Sequence, residues 1–452
     1  MLSLFLALFC AHASVTDDLS RAPKSFAFQN SKAVYIDISE AHYRISYDIA
    51  AQSASVEATL RFETQEAGYP MLDFVQKATE VTLNGARVQA AEVQTPDRAT
   101  KMRVISQDVS AGMHSLVIKL PLTSLVEWTS GGVSSAFWTS DLSERSFLER
   151  YLPTNLEYDR YPMTFDVLFF NTQEKQAVYA NGDIQFITDQ HVRILFPHYF
   201  NSSALFFHTT PATVMRESRL TFLSMDGREL PVRIYLKPSM LSNPAAQLKK
   251  LETMTLNILR ELEADYGPFP HPSVTIYNAG SGGMEYHGAT MTSERALGHE
   301  LIHCYFARGV MPANGNAGWI DEAIASWRDN GYPRGGSFSG NANMAGRPEY
   351  TRFTDRQAYS FGASFMAHLD GLFKDQGGLR PLLKQVFENH VFSPFFTEDF
   401  VGWLEGFSRT SLMPIFQRHV YAPKKGEKST PMTPMPHVHH QKMSLEELQN
   451  YL

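Results

Sequence analysis

Cysteine is nearly missing from this chain: it holds two in 452 residues, Cys10 and Cys304. Cys10 sits in the first apolar run, so Cys304 is left alone and no internal disulfide can staple the fold. Stability has to come from apolar cores, and the length suits two of them. Cys304 directly follows a histidine on an apolar segment, where packing is the ordinary role of a thiol. Positive charge is also in short supply. The 40 Lys and Arg against 47 Asp and Glu leave a formal charge of −7 with no basic block, so no nucleic acid partner is expected. Apolar runs of about 18 residues, the length a membrane helix needs, are missing too, and no stable membrane span is expected.

The opening MLSLFLALFCAHAS is apolar but too short to cross a bilayer, and it ends in the small-x-small pattern Ala11-His12-Ala13. Residues 1–13 therefore read as a secretory signal, although no Lys or Arg precedes the run. The expected location is periplasmic or secreted. The other end, from Ala422 to Leu452, is proline-rich and polar, as in PKKGEKSTPMTPMPHVHH, and reads as a solvated tail.

Between these ends the hydrophobic period changes once. Residues 20–210 are rich in short alternating runs, VYIDISEAHYRISYDI and HSLVIKL among them, separated by turn clusters such as LNGAR, which predicts an antiparallel, β-sandwich-like N-terminal domain. Residues 211–421 carry helical spacing in AAQLKKLETMTLNILRELEADYG, SERALGHELIHCYFARG, AYSFGASFMAHLDGLFKD and LRPLLKQVFENHV, interrupted by the strand VTIYNAG. Two more helices are expected in TEDFVGWLEGFSRTSLMPIFQRHVY. The fold class is α+β and multidomain, with a mostly helical second domain.

That second domain spells His299-Glu300-Leu301-Ile302-His303, the pattern H-E-x-x-H. Residues four apart share a helix face, so both imidazoles can meet one ion while Glu300 stands beside it to take a proton from water. Catalytic zinc commonly takes three protein ligands, and His-His-Glu is one such set. Glu322 in WIDEAIASW supplies the carboxylate, with residues 304 to 321 between it and His303. One Zn2+ per chain is expected.

This spacing and the segment Trp319 to Ala325 resemble the gluzincin aminopeptidases of the aminopeptidase N and leukotriene hydrolase group. The resemblance implies a thermolysin-like zinc domain that hydrolyses peptides bearing a free N-terminus. Gly282-Gly283-Met284-Glu285 is similar to the family's glycine-rich edge strand, which implies that Glu285 binds the substrate's α-amino group; Tyr286 replaces the usual Asn. Asp141 to Glu144, nine residues before Pro153, resembles the family's second acidic element and implies Glu144 as the partner clamp. Tyr359, in Tyr359-Ser360-Phe361-Gly362, matches the tyrosine that stabilises the oxyanion, with Phe361 where the family has Lys; Tyr332 and Tyr350 are the alternatives. Asp321 and Asp329 are candidate partners for the imidazole N–H groups, with a structural carboxylate as the commoner role, and Tyr286 and His287 are read as lining residues of the first pocket.

The departures widen the choice. The resemblance ends without the family's large helical domain, and the glycine-rich stretch GYPRGGSFSGNANMAG suggests a reduced, mobile wall, so a more open cleft is expected. An open cleft admits a zinc endopeptidase as an alternative. Loss of the Asn and Lys admits a degenerate, peptide-binding relative, against which stands the retained Glu300.

Overall fold

A computed structural model describes residues 22–155, 158–278, 282–313, 315, 317–335, 338–350 and 353–421. The signal over 1–13 and the tail over 422–452 fall outside them. The architecture is mixed α/β and multidomain, with five sheets and seven α-helices among the described residues. No helix there is long and apolar enough to cross a membrane.

Three of the sheets come from the first half of the chain. The largest has eight strands and is centred on the pair Asp37–Asp48 and Ser53–Thr64, whose buried-exposed alternation puts Tyr43, Ile45, Tyr47, Val56, Ala58 and Leu60 on one face. Beside it lie a five-stranded sheet and a four-stranded one. The expectation of an antiparallel domain needs one correction: Asp37–Asp48 pairs in parallel with Met163–Phe170, and Ser31–Tyr35 with Tyr69–Leu72. Parallel neighbours need long crossovers, here of over a hundred residues in the first case, and alternation along a strand carries no record of them.

The second half is less helical than its periodicity suggests, because it is built on a five-stranded mixed sheet. Its order is Arg216–Leu223, Glu229–Leu236, Val274–Asn278, Ala289–Thr292 and, at the edge, Gly283–Tyr286. Tyr235, Tyr277, Met284, Tyr286 and Met291 on these strands enter the same core as the eight-stranded sheet, so the edge strand is held from the N-terminal side.

Helices cover the rest. Helix α1 (Pro244–Tyr266) starts where the Asn243 side chain caps the Ala246 N–H and stops at Gly267, whose φ of 105° suits glycine. It is followed by α2 (Leu297–Ile302), α3 (Ile320–Asp329), α4 (Gln357–Leu372), α5 (Arg380–His390), α6 (Thr397–Ser408) and α7 (Met413–His419). Helix α2 is far shorter than the expected segment 293–309, since the chain turns tightly after His303, with the Val310 N–H donating to the Tyr305 carbonyl at 2.7 Å. Helices α3 and α4 pack closely at Gly362, where a Cβ would meet that of Ala323 at 2.6 Å.

The glycine-rich wall is laced rather than loose. His419 on α7 donates from its ring to the Gly340 carbonyl at 2.6 Å, Asn341 donates to the carbonyls of Arg418 and Tyr421, and Phe338 packs on Phe361, Phe365 and His419. Helix α7 lies over 70 residues downstream, which is why glycine content alone suggested mobility.

Candidate active site

Helix α2 carries Glu300 and His299 one position apart, and His303 caps its C-terminal end with φ −63° and ψ −18°, still helical. The i, i+4 relation therefore survives in a helix of barely two turns. The His299 and His303 ring centroids are 4.9 Å apart. Glu322 in the first turn of α3 faces them: its Oε2 is 3.1 Å from His299 Nε2 and 3.6 Å from His303 Nε2. All three residues are buried.

Both rings are oriented by their other nitrogen. His299 Nδ1 bonds the Asp329 carboxylate at 2.7 Å, and His303 Nδ1 donates to the Phe306 carbonyl at 3.0 Å. Asp329 is thus not merely structural. It lies seven residues after Glu322 (329 − 322) on the same face of α3, a spacing that was readable in the sequence. The Asp329 carboxylate is held in turn by Arg328, which forks onto Glu261 with two contacts of 2.9 Å. Gly298 makes room for that guanidinium, since a Cβ there would meet Nη1 at 2.5 Å. Asp321 stays 3.9 Å from His303 Nδ1, at ion-pair range.

These contacts test whether the residues fit a metal. With Nδ1 engaged on each ring, both Nε2 atoms face Glu322, and His303 Nε2 is buried with no hydrogen bond. The ligand atoms of His299, His303 and Glu322 lie within 4.8 Å of one another, as do those of Glu285, Glu300 and His303. Burial opposes charge on both imidazoles, yet the carboxylates win: Asp329 and Glu322 hold His299 well above its ordinary pKa, and Glu285 and Glu322 lift His303 to about 9. The centre therefore has buried negative charge that calls for a cation, and two nitrogens with one carboxylate oxygen are a zinc donor set.

Glu300 meets the edge strand. A Cβ on Gly283 would overlap the Glu300 carboxyl group, so the glycine is what lets this side chain lie between strand and helix. Gly282 and Met284 flank it and are buried. Tyr359, one turn before Gly362 on α4, is buried with its ring stacked parallel to that of His299 at 6.1 Å. The other two tyrosines are engaged elsewhere: Tyr332 with Tyr266 and Trp327, and Tyr350 with the Lys24 carbonyl.

A cleft opens beside the centre, lined among others by Asp141, Ser203, Glu285, Arg308, Asp321 and Phe353. Glu285 is on its wall, 1% exposed, but its Oε1 accepts from Arg308 Nη2 at 3.2 Å. Arg308 has no periodic or motif signal in the sequence. Glu144 is half-buried on the loop that also bears Asp141, and it is Asp141 that lines the cleft. The loop turns at Arg145, whose guanidinium forks onto Asp73 in the N-terminal half at 2.8 and 3.0 Å and fixes the Glu144 side of the turn there. Tyr286 and His287 do not line the cleft. Tyr286 packs on Phe206 and accepts from the Thr139 N–H, and His287 stacks on Phe200. Burial pushes the Cys304 thiol well above its usual pKa, as suits a packing role.

No family model and no curated protein sequence matches the chain. In structure it is similar to a mutant M1 zinc metallopeptidase from Deinococcus radiodurans bound to a Tyr-Ser-Ala substrate, with TM-score 0.60 and 18% identity over 84% of this chain and 91% of that one. The M1 zinc metallopeptidase of the same organism without the mutation gives 0.59 and 18% over 83% and 91%. Yeast LTA4 hydrolase in complex with bestatin gives 0.64 and 15% over 97% of this chain and 73% of that one. At these identities the likeness concerns the fold, and the fold is that of the M1 zinc metallopeptidases, in agreement with the gluzincin resemblance of its motifs.

Proposed function

We propose that the protein is a zinc-dependent metallopeptidase, with a thermolysin-like catalytic unit over residues 211–421, that hydrolyses the N-terminal peptide bond of peptides. The observation that carries this reading is the pair of oriented imidazoles facing Glu322 with Glu300 alongside. His299, His303 and Glu322 would hold the zinc. Bound there, zinc supplies Lewis-acid activation of water and of the scissile carbonyl. Glu300 accepts the water's proton on its carboxylate and returns it to the departing amine nitrogen. Tyr359 donates its hydroxyl to the developing oxyanion. Glu285, at the cleft wall, pairs with the substrate's ammonium and so sets the first residue in register. Export through the segment 1–13 belongs to the same proposal.

A zinc endopeptidase is the second reading, and one contact favours it: Arg308 already holds an oxygen of Glu285. The test is zinc-dependent cleavage of a peptide panel, each peptide with a free and an acetylated N-terminus, with Glu300→Gln as the blank. Loss of cleavage on acetylation supports the aminopeptidase, and internal cuts that survive it support the endopeptidase. No zinc-dependent cleavage above the blank would leave a peptide-binding protein.

A further inference from the structure

The Glu285 carboxylate meets a cation of the protein's own before any substrate arrives. Arg308 follows the tight turn after His303, where its main-chain N–H donates to the His303 carbonyl at 2.8 Å, so its backbone is fixed to a residue of the zinc site. The residue before it, Ala307, has φ 151°, a conformation that side-chain-bearing residues rarely adopt. Strain of this kind persists where surrounding structure enforces it, and it gathers at functional sites. From this turn the guanidinium enters the cleft 4% exposed, with Nη1 donating to Ser203 Oγ at 2.7 Å and Nη2 to Glu285 Oε1 at 3.2 Å. Its Nε is buried and makes no hydrogen bond, so packing and the two terminal contacts hold it there.

We propose that Arg308 is a specificity-determining residue that fills part of the amine-binding pole and weakens the site's discrimination between free and blocked N-termini. The inference rests on reading Glu285 as that pole. A buried carboxylate recognises an ammonium strongly because burial leaves it in need of a counter-charge. Here Arg308 supplies that counter-charge internally, and an arriving ammonium must share the carboxylate beside a like charge. A peptide whose N-terminus is acetylated, or an internal segment of a longer chain, meets no such repulsion. Peptides with a free N-terminus accordingly stay the better substrates, blocked ones are cut at a reduced rate, and neutralising Arg308 converts the site to a stricter aminopeptidase.

The experiment compares Ala-Ala-Ala with acetyl-Ala-Ala-Ala on the full zinc-loaded chain. The readout is the ratio of kcat/KM for the free over the acetylated peptide, summed over all bonds cut. In the unaltered protein the ratio stays below about a hundred; Arg308→Gln raises it at least about tenfold and Arg308→Lys, which keeps the charge, leaves it near the original value. An unchanged or lowered ratio in Arg308→Gln overturns the proposal. A ratio above about a hundred in the unaltered protein does so too, whether or not the variant folds. The same ratio is read without chemistry as dissociation constants of the two peptides for zinc-loaded Glu300→Gln protein, with and without the Arg308 change. Failure to hydrolyse any peptide therefore sinks the peptidase reading alone, while equal binding ratios with and without Arg308 sink this one.

Discussion

The Glu300 carboxyl group lies in the space that a side chain on Gly283 would occupy, so strand and helix meet where a Cβ would displace that carboxyl. The glycine pair before Met284 thereby acquires a steric meaning, tied to the residue proposed to move the proton. Gly283→Ala must push Glu300 aside, because the atoms a Cβ would overlap are those of its carboxyl end, the group proposed to take the proton. The expected outcome is a fall in kcat of about a hundredfold or more, the lower range of a general base's contribution, with zinc still bound. Steady-state kinetics together with metal analysis checks this, and full activity in the alanine variant would show that Glu300 is not the base.

Asp329 orients His299 through the bond to Nδ1. Asp329→Asn keeps the shape but lets the amide donate toward the ring, which disfavours the tautomer with a lone pair on Nε2. Zinc affinity should fall by about 10–100-fold, as it does when such oriented imidazoles lose their partners. Chelator competition measures it. Unchanged affinity would return Asp329 to the structural role assigned from sequence.

Tyr359 is buried with its ring stacked parallel to that of His299. Tyr359→Phe keeps the ring and removes the hydroxyl, so kcat should drop about 10²–10³-fold while zinc content and KM change little. A selective rise in KM would instead place the hydroxyl in substrate binding.

His208 is buried among Trp138, Tyr179 and Tyr277 with both ring nitrogens lacking hydrogen bonds. Burial lowers its pKa to about 3, and burial likewise lowers His271 to about 3. Between that value and the unfolded value near 6.5 the unfolded chain binds protons that the native one refuses, so stability rises with pH there. It is fully present above about pH 6.5 and lost on acidification, at about 1.4 kcal/mol per pH unit for each such histidine. Thermal melts from pH 7.5 to 5 should show a falling Tm, and His208→Phe should make the fall shallower by about 2 kcal/mol at pH 5. A variant with the same pH slope as the unaltered protein would refute the assignment.

Much of the site was legible because its parts are local. His299, Glu300 and His303 share one turn of helix, and Glu322 lies in a second helix at a spacing that resembles a known one. The helices over Pro244–Tyr266, Gln357–Leu372 and Arg380–His390 follow from their apolar period. What was misread depends on partners far along the chain. The parallel pairing of Asp37–Asp48 with Met163–Phe170, the lacing of the glycine-rich wall by α7, and the burial of Tyr286 against Phe206 leave no mark in any local pattern. Arg308 belongs to the same class: one arginine after a turn reads as surface charge, and only the fold brings it to Glu285 and Ser203. Periodicity records which face of an element is apolar, whereas tertiary packing chooses the charge that each buried carboxylate meets. The sequence by itself thus determined the candidate donor set and its helices, and the tertiary structure decided how the imidazoles are aimed and which cation meets the Glu285 carboxylate.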